Sequence, residues 1–186
     1  KLQLNKGVVL KDILRPALQK GTELRFKECE EASYYTMEYG NGCFSTKQCS
    51  AFEFNDIGET DKIETFTDGS CQAHGTIDAI AAGAVIQITE MAEDMLNFKA
   101  RAACWLAPRH LHATSFTGEY IGAYIAIRDS IKNKPICICT DSAALIGAWQ
   151  RATTMGPQFQ HKWDGLFRQH WEDISEQEEV NLYKVK

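Results

Sequence analysis

Three acidic residues stand where segments of strong secondary-structure character begin or end. Together they constrain this chain more than any other feature. Asp68 sits in I-E-T-F-T-D-G-S, Glu119 in T-G-E-Y-I-G-A-Y-I-A-I, and Asp141 in P-I-C-I-C-T-D-S-A-A-L. The first and third are expected at the ends of apolar, β-prone runs. The second is expected to open an amphipathic helix. Carboxylates delivered from separate elements can converge on one point and hold a divalent cation. Hard cations such as Mg²⁺ take oxygen ligands and retain several waters. A pair of such ions, about 3.5–4 Å apart, stabilises both the attacking and the leaving oxygen of an in-line displacement.

Pattern along the chain places these residues. Ile63 to Thr67 reads as a first core strand, Ala81 to Thr89 as a second, and Asn97 to Leu106 as a third. Thr117 is the expected N-cap of a helix that runs to about Ile131, because a threonine hydroxyl satisfies the free N–H groups of a first turn. Ile121, Tyr124, Ile125 and Arg128 keep helical spacing, and Gly122, Ala123 and Ala126 permit close packing. Ile136 to Thr140 is a short apolar strand of the kind buried at the centre of a sheet. Ala143 to Thr153 and Lys162 to Ile174 read as helices, and Val180 to Lys186 as a fifth strand. Strands 1 to 3 are able to pair antiparallel, and strands joined through helices pair parallel. The expected fold class is therefore α/β, a mixed five-stranded sheet flanked by helices.

The chain divides near Asp61. Residues 1–60 form an N-terminal appendage or tether, and residues 61–186 carry the motifs. Lys6 to Leu18 has a partly helical pattern broken by Pro16, and Thr22 to Lys27 alternates as a half-buried strand does. Ser33 to Tyr39 and Ser50 to Phe54 are β-prone, with Gly40-Asn41-Gly42 as a turn signal between them. The appendage thus reads as small and β-rich. Asn55 to Lys62 is polar and acidic, as a linker is.

At 186 residues with 44% hydrophobic content, the chain has ample material for a packed core. No apolar run approaches the ~20 residues of a membrane span. Seven cysteines, without a C-x-x-C pair, read as a reduced, intracellular protein. Cys137 and Cys139 alternate along one strand and so share a face, directed to the core. Cys29, Cys43 and Cys49 lack the spacing of common zinc modules. The net charge of −5 argues against strong autonomous binding to a phosphate backbone, which draws on Lys and Arg. Other domains or protein partners would then hold a nucleic-acid substrate.

The three acidic segments resemble the ribonuclease H family, specifically type 1 ribonuclease H and the equivalent domains of retroelement polyproteins. The resemblance covers roughly residues 63–186. It rests on Thr67-Asp68-Gly69-Ser70, on Glu119-Tyr120-Ile121-Gly122-Ala123, and on Thr140-Asp141-Ser142, in that order. The interval between Glu119 and Asp141 (141 − 119 = 22) suits one helix, a turn and one strand. The resemblance implies that Asp68, Glu119 and Asp141 are the catalytic metal ligands, with Mg²⁺ or Mn²⁺ as the cofactor and two ions bound. It implies hydrolysis of the RNA strand of an RNA/DNA hybrid. Asp68 would bridge the metals, Glu119 would serve the first metal's side, and Asp141 would complete the shell.

The match is incomplete. The family's fourth carboxylate and loop histidine have no counterpart in residues 1–186, so the domain is expected to be C-terminally incomplete and part of a longer protein. Cys71 to Ile80 carries only Gly75 where the family has a glycine-rich hairpin. A catalytically inactive ribonuclease H-like module, binding RNA or protein in a larger assembly, is the alternative. Ser70 and Ser142 stand near enough to touch phosphate, or cap turns and helices instead. His110 and His112 flank Leu111 before the Glu119 helix. Arg151, Lys162 and Arg168 are candidate backbone contacts, set against a solvated helix face. Trp163, Phe167 and Trp171 follow helical spacing, as core residues do. Tyr34, Tyr35 and Tyr39 read as half-buried strand residues before they read as base-stacking ones.

Overall fold

Among the described residues, nine elements build a single mixed sheet with helices on it. The computed structural model describes residues 32–54, 64–92, 97–107, 111–131, 134–155 and 179–185. The strands are β1 (Ser33–Gly40), β2 (Cys43–Cys49), β3 (Glu64–Gln72), β4 (Ile80–Met91), β5 (Phe98–Leu106), β6 (Ile136–Thr140) and β7 (Val180–Lys184). The helices are α1 (Ser115–Arg128) and α2 (Ala143–Met155). The expected segments at 6–18, 22–27, 55–62 and 162–174 lie outside the described residues.

The sheet order is β2-β1-β5-β4-β3-β6-β7. β3, β4 and β5 pair antiparallel, joined by local turns. β6 lies parallel to β3, and β7 parallel to β6, each reached by way of a helix-bearing connection. The five strands expected from the sequence are all present, as the run β5-β4-β3-β6-β7. The β-rich segment expected before residue 60 extends that run to seven strands, because β1 pairs antiparallel along β5 from Ser33↔Cys104 to Tyr39↔Phe98. The fold is α/β and ribonuclease H-like in its strand order and directions.

Five details of the sequence reading change. The second strand of the N-terminal hairpin is Cys43–Cys49, not Ser50 to Phe54. Asn41 and Gly42 take φ of 51° and 73° and close a two-residue turn, so pairing resumes at once with Gly40↔Cys43. Phe54 instead makes an isolated bridge to Ser130 and is fully buried. Asp68 lies inside β3 rather than at its end, because the β3–β4 ladder continues to Gln72↔Ile80.

The other three concern α1. Its N-cap is Thr114, whose hydroxyl accepts from the Thr117 N–H at 3.0 Å; Thr117 stands inside the first turn. The helix stops at Arg128, with Asp129 as its C-cap. Nor is α1 an amphipathic surface helix. Thr117, Gly118 and every residue from Tyr120 to Ile127 are buried. The sheet covers one side, and α2, through Leu145, Ala148, Trp149 and Ala152, adds to the same core. A helix apolar all round requires such a buried setting.

Glycines set how closely α1 approaches the sheet. A Cβ on Gly118 would stand 2.6 Å from the Ala82 carbonyl oxygen, and one on Gly122 would stand 2.7 Å from that of Ala84. On the strand side, a Cβ on Gly69 would fall on the Glu119 backbone, and one on Gly83 on the Gly122 backbone. Backbone therefore meets backbone, with no side chain between. The opposite face of the sheet carries a second apolar cluster around Met37, Ala100 and Ala102. Cys137 and Cys139 are both buried, as expected. Among the described residues no helix is long and apolar enough to cross a membrane.

Candidate metal centre

Asp68, Glu119 and Asp141 meet at one point. One carboxylate oxygen from each lies within 4.8 Å of the others, and among the described residues they are the one such acidic, histidine or cysteine cluster. Three different elements deliver them. Asp68 projects from the middle of β3, opposite Ala84. Glu119 stands in the first turns of α1, brought against β3 by the Gly69 contact. Asp141 follows the last residue of β6.

The turn that presents Asp141 is closely defined. The Ser142 N–H donates to the Thr140 hydroxyl at 3.1 Å, and the Ser142 hydroxyl accepts from the Leu145 N–H at 3.2 Å. Ser142 is thus the cap of α2. Asp141 is left exposed between two tied neighbours.

Electrostatics distinguish this cluster from solvated surface acids. Burial, then the neighbouring charges of Asp68 and Asp141, push the Glu119 carboxyl up to about 7, against hydrogen bonds from the Gly69 N–H and the Thr140 hydroxyl. Burial raises Asp68 as well, with Asp141 adding to it and the Gly69 N–H opposing. That N–H donates to Asp68 Oδ1 at 2.8 Å. Glu119 Oε2 is buried and has no hydrogen-bond partner. A buried, unsatisfied carboxylate oxygen beside two further carboxylates is costly without a cation. Hard oxygen donors of this kind are compatible with Mg²⁺ or Mn²⁺, so the residues present fit the expected metal.

The remaining candidates separate. Ser70 is exposed on β3, two residues beyond Asp68. His112 is exposed, and its backbone carbonyl accepts from the Thr117 hydroxyl, a contact that orders the entry to α1. Arg151 is exposed on α2. His110, Lys162, Trp163, Phe167, Arg168, Trp171 and Cys29 lie outside the described residues. Tyr34 packs against the main core, Tyr35 against the second cluster, and Tyr39 stacks on Phe98. All three tyrosines are half-buried, as their strand pattern predicts. The loop after β3 holds Ala73 at φ 52° and Gly75 at φ 84°, so one of its two left-handed positions is not a glycine.

Sequence reasoning missed two contributors. Thr140 is fully buried and hydrogen-bonds Glu119, and Gly69 supplies both the close approach and an N–H. Each adjoins an acid already singled out, and adjacency was the only available signal.

No protein-family model and no curated protein matches the sequence. Solved structures of similar shape include a foamy viral protease-reverse transcriptase in complex with dsDNA, at TM-score 0.45 and 13% identity, covering 67% of this chain and 81% of that one. LC11-RNase H1 in complex with an RNA/DNA hybrid matches at TM-score 0.45 and 13% identity, over 67% and 85% of the two chains. RNase H1 from the halophilic archaeon Halobacterium salinarum NRC-1 matches at TM-score 0.43 and 15% identity, over 67% and 85%. At these identities the likeness is one of fold.

Proposed function

We propose that this chain is a divalent-metal-dependent nuclease domain that hydrolyses the RNA strand of RNA/DNA hybrids, within a larger or retroelement-derived protein. The observation that carries this reading is the convergence of Asp68, Glu119 and Asp141 within 4.8 Å, with Glu119 Oε2 buried and unpartnered. A purely structural domain gains nothing by holding three carboxylates together, since like charges repel. The substrate class rests on the resemblance of the T-D-G-S, T-G-E and T-D-S segments to ribonuclease H.

In this reading the three carboxylates hold Mg²⁺ or Mn²⁺, two ions at full occupancy. Metal bound there would supply a water of lowered pKa and stabilise the leaving 3′ oxygen. The protein's own part is positional. Gly69 donates its N–H to Asp68, Thr140 hydrogen-bonds Glu119, and Ser142 caps α2 so that Asp141 keeps its direction. Asp68, Glu119 and Asp141 would each offer a carboxylate oxygen to the metal. No disulfide joins the six described cysteines, and in this reading the protein works in a reducing, intracellular setting.

A second reading, an inactive ribonuclease H-like module that binds RNA or protein, is favoured by the net charge of −5 and by the atypical loop after β3. Incubation of a labelled RNA/DNA hybrid in Mg²⁺ or Mn²⁺ separates the two. Cleavage by the wild type that Asp68→Asn abolishes supports the nuclease. A folded protein that leaves the hybrid intact in both ions supports the module.

A further inference from the structure

The outer edge of β2 has a self-complementary pattern. Among the described residues β2 pairs on one side only, with β1, and it ends the sheet. The two-residue turn at Asn41-Gly42 makes Gly40↔Cys43 a narrow, hydrogen-bonded pair, so narrow pairs recur at Ser45, Lys47 and Cys49. The backbone groups of Phe44, Thr46 and Gln48 therefore point away from β1, and among the described residues no strand pairs with them. Thr46 is the middle residue of the strand, which begins and ends with cysteine three positions to either side. Ser45 and Thr46 are exposed, as are Cys43 and Lys47.

We propose that β2 pairs antiparallel with β2 of a second copy of this chain, about a two-fold axis at Thr46, to give one continuous sheet across a dimer. In that register Thr46 faces Thr46, and Phe44 faces Gln48, as narrow pairs that satisfy all the outward backbone groups of both strands. Cys43 then stands in a wide pair opposite Cys49 of the second copy, on the same face. Wide antiparallel pairs bring Cα atoms to about 4.5 Å, within the span of a disulfide. Within one chain the same two thiols are six residues apart along a strand, roughly 20 Å, and cannot meet. Charge also matches. Lys47 lies opposite Ser45 of the second copy, and that small residue separates it from Glu38 of the same copy, which pairs with Ser45 in the hairpin. Lys47 and Glu38 are both exposed, and the two-fold axis repeats the contact. Seven-residue edges bury less than a standard interface, so the dimer forms in proportion to concentration.

The test is oxidation of the full chain by diamide in a Cys29→Ser, Cys71→Ser, Cys104→Ala background, read as covalent dimer on a denaturing gel. The parent is expected to cross-link. Cys43→Ser alone and Cys49→Ser alone are each expected to lose the dimer at least tenfold, and a mixture of these two variants to regain it. Thr46→Pro removes an outward N–H without taking a bond from the hairpin, so it is expected to reduce cross-linking tenfold at an unchanged melting temperature. Sedimentation under reducing conditions is expected to show the same loss for Thr46→Pro. Cross-linking by either single-cysteine variant alone, failure of the mixture, or undiminished dimer in a folded Thr46→Pro protein overturns the register.

Discussion

The two ends of α1 treat charge in opposite ways. At its start, Glu119 faces Asp68 and Asp141 with one oxygen buried and unpartnered. At its end, Arg128 and Asp129 form an ion pair through Nε to Oδ1 at 2.5 Å, with a second contact from the guanidinium to Oδ2 at 2.8 Å. The Tyr34 hydroxyl donates to Asp129 Oδ2 at 2.7 Å, and the guanidinium lies over the rings of Trp105 and Tyr124. Desolvation and the hydrogen bond to Asp129 push the Tyr34 hydroxyl up to about 12. The Tyr34 hydroxyl, the Asp129 carboxylate and the Arg128 guanidinium all have partners there, as a structural network requires. Both ends belong to one helix in one core. Charge is satisfied at the structural end and left unsatisfied at the end proposed to be chemical.

The largest expected effect breaks the chemical end. Asp68→Asn keeps the shape of the side chain but removes its charge. Cleavage of the hybrid should fall on the order of 10³-fold, about 4 kcal/mol in the barrier. The melting temperature should hold or rise, because a repulsive charge is gone. A loss of folding alongside activity would remove the distinction between the two ends.

Next comes the contact that joins the chemical end to the sheet. Gly122→Val places atoms where the Ala84 carbonyl stands and should cost about 3 kcal/mol in a urea melt. A well-tolerated valine would mean that α1 does not set the position of Glu119 by backbone contact. At the structural end, Asp129→Ala leaves a guanidinium part-buried and unpaired. Stability should drop by about 2 kcal/mol, with cleavage rate per folded molecule within about twofold of wild type. A cleavage defect much larger than that would couple the two ends.

The smallest effect concerns pH. The Glu119 carboxyl, raised from 4.5 to about 7, holds a proton in the folded apoprotein that the unfolded chain loses earlier. That contribution to stability is complete below about 4.5 and is lost as pH rises through about 7. After solvent screening it amounts to about 1 kcal/mol. Cation and proton compete for the same carboxylate, so the rise in melting temperature on adding Mn²⁺ should be greater at pH 8 than at pH 6. Glu119→Gln should flatten that difference.

Much of the fold was legible because punctuation agreed with pattern. β6 has the expected bounds, Ile136–Thr140, where Pro135 and Asp141 bracket an apolar run. The helix start was misread because A-T-S-F-T offers two threonines with equal local claims. The extended backbone of Thr114, at φ −138° and ψ 165°, decides between them, and the His112 carbonyl engages Thr117. The outer hairpin strand was misread because Ser50 to Phe54 is aromatic and β-prone. A two-residue turn leaves no slack, so pairing falls on Cys43–Cys49 whatever their propensity. The burial of Phe54 is tertiary: its N–H donates to the Asp129 carbonyl and its own carbonyl accepts from the Ile131 N–H.

The sequence by itself singled out Asp68, Glu119 and Asp141 and the elements on which they ride, since strand, helix and turn signals are local and lie beside these three acids. The glycine approach of α1, the orphaned oxygen of Glu119 and its carboxyl near 7 were decided only by the tertiary structure. Burial and charge proximity are sums over neighbours distant in the chain, and no local pattern encodes them.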